Sequence, residues 1–112
     1  MNGERIQHGN GQTTWRLLDA VTGLTPGFWV NTEGYEAFSV EITGLERQAA
    51  VIVSGSNEPD RPSGHGTPLA PTVKANAFLD IQIPMSWIKC RVVKHTLGVI
   101  TVTLQGRHRW PS

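Results

Sequence analysis

Short runs in which apolar and polar residues strictly alternate constrain this chain more than any other feature. Phe38, Val40 and Ile42 alternate with Ser39, Glu41 and Thr43 between Tyr35 and Thr43. A period of two places one set of side chains on a core-facing surface and the other in water, the mark of a half-buried β-strand. The same alternation recurs in Trp87–His95 (Ile88, Cys90 and Val92 inward; Lys89, Arg91 and Lys94 partly or wholly outside) and in Val99–Leu104 (Ile100, Val102 and Leu104 inward). Residues 73–83 repeat it, with Leu79, Ile81 and Ile83 opposing Asp80 and Gln82. Further strands are expected at 14–21, with Trp15 and Leu17 on one face, at 28–31, and around Val51 and Val53. Glycine and proline punctuate these segments, as in Thr22-Gly-Leu-Thr-Pro-Gly27, where Gly23 and Gly27 tolerate positive φ and Pro26 presets a turn.

Helical periodicity is almost absent, so the expected fold is all-β. It is a single-domain β-sandwich or jelly roll of about 7–8 short antiparallel strands, flanked by flexible terminal arms. The expected organisation is an N-terminal arm over 1–13, polar and containing Gly3, Gly9 and Gly11, a β-sandwich domain over 14–104, and a C-terminal tail over 105–112. One long connection breaks the domain. Residues 55–71 hold four prolines and three glycines, which argues against regular structure and makes a contact role attractive.

A chain of 112 residues can bury one compact core without staples. Its single cysteine, Cys90, forms no internal disulfide, which suits a particle assembled in a reducing cytoplasm. No apolar run approaches the ~20 residues that span a bilayer, and the opening residues lack the apolar stretch of a secretory signal, so neither membrane insertion nor export is expected.

Catalytic chemistry finds little support. Cys90 falls between Ile88 and Val92 on an inward face, where a thiol acts as a small hydrophobe. No G-x-S-x-G elbow occurs. His8, His65, His95 and His108 are scattered without metal-ligand spacing. No enzyme activity, metal or cofactor is expected. Arg107-His-Arg-Trp110 combines cations with a stacking ring, but two arginines on a nearly neutral chain make a small footprint for nucleic acid, and docking on protein is the better reading.

Charge is unevenly distributed along the chain. Residues 1–60 hold three basic against eight acidic side chains, and residues 61–112 hold seven basic against Asp80 alone, so the halves carry −5 and +6. Interleaved strands would let the halves neutralise each other; two faces of opposite sign would favour head-to-tail or subunit contacts. The parity of Trp87 matches that of Lys89 and Arg91, which places it on the outer face as an interface anchor or under the long loop.

Four ordered segments carry a family likeness: Phe38-Ser-Val-Glu-Ile-Thr-Gly44, Val51-Ile-Val-Ser-Gly-Ser-Asn57, Trp87-Ile-Lys-Cys-Arg-Val92 and Gly98-Val-Ile-Thr-Val-Thr-Leu104. Across residues 28–104 the chain resembles small virion proteins of tailed bacteriophages, most of all those that decorate or cement capsids. The resemblance implies a β-sandwich used for assembly and brings no catalytic residues with it. The expected function is therefore non-enzymatic decoration and stabilisation of a capsid surface in the virion. Its expected partners are the major capsid (coat) protein and the chain itself as a symmetric homo-oligomer, with no nucleic acid and no membrane. Trp87, Arg91, Arg107, Arg109, Trp110, Arg61 and His65 are the candidate partner-binding residues. The alternative is a carbohydrate- or receptor-binding module of a phage tail or fibre, with Trp29 and Asn31, or Trp87 and Arg91, as a sugar platform.

Overall fold

A computed structural model describes residues 3–9 and 11–108. Nine strands form two antiparallel sheets, and no helix occurs among the described residues. They are β1 (Glu4–Gly9), β2 (Gln12–Val21), β3 (Val30–Asn31), β4 (Ala37–Thr43), β5 (Ala50–Ser56), β6 (Thr67–Pro68), β7 (Ala77–Ile81), β8 (Trp87–Lys94) and β9 (Ile100–Arg107). The first sheet has the order β1-β2-β9-β4-β7 and the second β3-β8-β5-β6.

The pairings resolve the choice between a plain sandwich and a jelly roll. β2 pairs with β9, β3 with β8, β4 with β7 and β5 with β6. The chain from β2 to β9 is thus one long two-stranded ribbon, folded back on itself between β5 and β6. Rolling that ribbon brings β4 beside β9 and β5 beside β8, which closes the two sheets. This is the jelly-roll arrangement, with β1 added at one edge. Residues 57–66 form the tip of the ribbon.

The core lies between the sheets and follows the alternation. Phe38, Val40 and Ile42 of β4 and Ile100, Val102 and Leu104 of β9 face Val51 and Val53 of β5 and Ile88, Cys90 and Val92 of β8, all of them buried. Two glycines permit the closest approaches. A Cβ on Gly27 (φ +76°) would sit 2.0 Å from the Cys90 carbonyl oxygen, and one on Gly44 (φ +83°) 1.8 Å from that of Val99. No other residue type fits at either turn. At one end Tyr35 meets Trp15 edge-on at 5.2 Å and stacks on the His108 ring at 4.2 Å.

Several expectations need correction. Residues 4–9, expected in a flexible arm, are strand β1, and β2 begins at Gln12 rather than Thr14. An edge strand is held by backbone hydrogen bonds to its neighbour, so it needs no apolar alternation to form, and a polar sequence conceals it. The expected tail likewise contributes residues 105–107 to β9, paired with both β2 and β4. The long connection is shorter than 55–71, because β5 runs to Ser56 and Thr67–Pro68 pairs with Ser54 and Gly55. The strand expected over 73–83 is confined to Ala77–Ile81, which leaves Ile83 58% exposed. Only Val30–Asn31 of 28–31 is paired as strand.

Candidate interaction surface

The ribbon tip does not project into solvent but folds over the outer face of the four-stranded sheet. Registry on that face follows from the pairings. Trp87 lies between Asn31 and Ser56, Lys89 lies beside Ser54, and Arg91 lies beside Ile52. Trp29, one residue before β3, continues the row of Lys89, because Val30 pairs with Ile88.

Three side chains hold the loop to this face. The Trp87 indole Nε1 donates to the carbonyl oxygen of Glu58 at 3.0 Å, and that of Trp29 to the carbonyl oxygen of Gly64 at 3.2 Å. Lys89 Nζ lies 3.4 Å from the Gly64 carbonyl oxygen, 3.0 Å from His65 Nδ1 and 4.9 Å from the centre of the Trp29 ring. Since an ammonium only donates, His65 Nδ1 is the acceptor and the imidazole is neutral in this contact. Lys89, expected partly or wholly outside, is only 4% exposed. Its strand parity does point outward; the loop, invisible to parity, shuts it from water.

Electrostatics here are one-sided. Burial, and then the charge of Arg91, lowers the Lys89 pKa from its ordinary value. The Lys89 charge, followed by desolvation and by Arg91, lowers that of His65. No carboxylate is among the causes for either group. Arg91 Nε is buried without a hydrogen-bond partner. A recess of about 250 Å³ is lined by Arg91 together with Leu24, Thr25, Pro26, His65 and Val92. The concave surface of the loop itself borders a second hollow of about 650 Å³ between Gly55 and Thr67.

The expected partner-binding residues thus fall into groups. Arg61 lies over the Trp87 ring at 5.9 Å, and His65 and Arg91 share the recess, so these four belong to one surface. Trp87 is half-buried beneath the loop, the second of its two expected settings. Arg107 is exposed at the end of β9 in the other sheet and does not join them. Arg109 and Trp110 lie outside the described residues. Sequence reasoning missed Lys89 and Trp29 as the residues that seat the loop. Their only signal was the shared parity with Trp87 across β3 and β8.

Cys90 is buried on the opposite, core-facing side, and burial pushes its thiol up to about 12. Among the described residues no group of three or more His, Cys, Asp or Glu side chains is placed to hold a metal ion.

No family model matches the chain, and no curated protein does. A solved structure, that of the SPBc2 prophage-derived protein YomS, superposes with a TM-score of 0.68 over 85% of this chain and 91% of the other. The two chains share a fold. With 17% identity, the likeness extends over nearly the whole of both chains but lies in the path of the backbone rather than in the side chains.

Proposed function

We propose that this protein is a non-enzymatic structural component of a phage virion, which decorates the capsid and stabilises it by binding coat-protein subunits. The observation that carries the reading is the near end-to-end correspondence of its jelly roll with a prophage-derived protein. The phage-like strand motifs at residues 38–44, 51–57, 87–92 and 98–104 support it independently. A jelly roll alone would not, because the same architecture serves capsid and lectin domains.

The surface chemistry leans the same way. A sugar platform wants an open aromatic face, but Trp29 is only 8% exposed and Arg61 lies over Trp87. The exposed apolar side chains, Leu24 at 70% and Phe78 at 74% among them, are dispersed around a polar surface, as suits several small contacts made by each of many copies. A protein that binds only the assembled shell stabilises it by mass action.

Coat shells of the cognate phage, prepared with and without the purified chain, test the reading. Decorated shells should survive heating or chelation that disrupts bare ones, and the chain should sediment with them. A chain that never associates with shells but binds a glycan array would replace capsid decoration with receptor binding.

A further inference from the structure

We propose that the recess beside β8 is a carboxylate-binding site, in which the Arg91 guanidinium and the His65 imidazole receive an Asp or Glu side chain presented by a neighbouring protein subunit. The identity of that subunit rests on the coat-binding reading above; the site itself rests on geometry.

Arg91 and His65 both line the recess, and the Nε of Arg91 is buried with no partner. The planar guanidinium fork is the group best matched to a carboxylate. Of the four stretches of chain nearest the recess, two carry charge. β8 supplies Lys89 and Arg91; the ribbon tip supplies Glu58, Asp60, Arg61 and His65; residues 22–29 carry no charge; and the outward positions of β5, Ile52, Ser54 and Ser56, carry none either. Burial and then Arg91 lower the Lys89 pKa, and Lys89, burial and Arg91 lower that of His65, with no carboxylate among the causes. Arg91 and His65 therefore line the recess with Lys89 in contact with His65 behind them, and no carboxylate offsets the mutual effect of these three groups on Lys89 or His65.

Size and rim favour a side chain over a free metabolite. At about 250 Å³ the recess is smaller than the ~300–1,000 Å³ of ordinary small-molecule pockets. Leu24, 70% exposed on its wall, offers an apolar contact in the same recess as Arg91, and arginine is enriched among interface anchors. A carboxylate between Arg91 and His65 would also oppose the lowering of the His65 pKa by Lys89, so binding should raise the pH at which the imidazole titrates.

The test uses the full chain, labelled with ¹⁵N, and N-acetylglutamate amide as the probe, at fixed ionic strength with chloride as control. The Arg91 Nε–H and His65 ring resonances should shift to saturation with a midpoint in the millimolar range, and the probe should raise the pH at which His65 titrates. Arg91→Gln should abolish both effects. Arg91→Lys, which keeps the charge but loses the fork, should weaken binding several-fold and serves if the glutamine variant does not fold. Absence of saturation, an unchanged response in the variants, or a response to inorganic phosphate with none to the probe would each overturn the site. Probe binding by a chain that never joins coat shells would leave the site standing and remove only the shell reading. Shells that accept Arg91→Gln as well as the parent would remove the site's role in decoration and leave decoration itself intact.

Discussion

The indole Nε1 of Trp87 donates to the carbonyl oxygen of Glu58 across 3.0 Å, joining the first residue of β8 to a loop residue 29 positions earlier. This bond and those of Trp29 and Lys89 to Gly64 attach the two ends of the ribbon tip to the sheet beneath it.

Removing one of these attachments should free the loop without unfolding the sandwich. A net hydrogen bond is worth about 1 kcal/mol, and 1.4 kcal/mol is tenfold in an equilibrium. Trp87→Ala should therefore speed amide exchange over residues 57–66 by about five- to tenfold, with protection in β4 and β9 nearly unchanged. Equal exchange in variant and parent would show that Trp87 does not hold the loop.

The core should respond in the opposite way. Ile42 and Ile100 are buried between the sheets, so Ile42→Ala or Ile100→Ala should cost about 2–5 kcal/mol in urea unfolding. Phe78→Ala, at a side chain 74% exposed on the outer side of β7, should change stability by less than about 0.5 kcal/mol. A loss at Phe78 comparable with that at Ile42 would contradict the assigned faces.

Acid should loosen the ribbon tip. The folded state lowers the His65 pKa, so between that lowered value and the ordinary one near 6.5 the released imidazole binds more protons than the attached one. Attachment is therefore complete above the ordinary value and weakens as pH falls through it towards the lowered value. Protonation would set an imidazolium 3.0 Å from the Lys89 ammonium. Exchange over 57–66, corrected for the intrinsic pH effect, should rise as pH falls through the ordinary histidine value near 6.5, and His65→Gln should flatten the rise. A flat profile in the parent would mean that the His65–Lys89 contact does not hold the loop.

Cys90 should be inert while the protein is folded. Its thiol is buried and raised to about 12, so almost no thiolate exists near neutrality. Reaction with a thiol reagent at pH 8 should proceed only as fast as the chain opens, and should accelerate with urea. Immediate labelling of the native protein would place Cys90 outside the core.

Truncation should show that residues 4–9 are part of the fold. β1 covers one edge of β2, and Gly3 N donates to the Arg16 carbonyl oxygen at 2.6 Å. Deleting residues 1–9 leaves that edge unpaired, and unpaired edges promote strand-to-strand association. The shortened chain should melt earlier and self-associate in sedimentation. A monomer of unchanged stability would restore the flexible-arm reading.

Sequence by itself determined the fold class, the inward faces of β4, β8 and β9, and the burial of Cys90. Period-two alternation records which side of a strand meets the core, and that record needs no partner strand to be read. It could not reveal β1, β6 or the ends of β7. Short and edge strands depend on the backbone of a neighbour, which polar side chains and Pro68 do not advertise. The interaction surface was only half legible for the same reason. Parity placed Trp87, Lys89 and Arg91 together on the outer face, and composition marked residues 55–71 as a loop. Tertiary structure alone decided that the loop lies on that face, buries Lys89 against Trp29 and leaves Arg91 Nε without a partner. Where the loop comes to rest is set by hydrogen bonds between residues 24 to 35 positions apart, Trp29 to Gly64 and Lys89 to His65 among them, and local sequence carries no trace of such pairings.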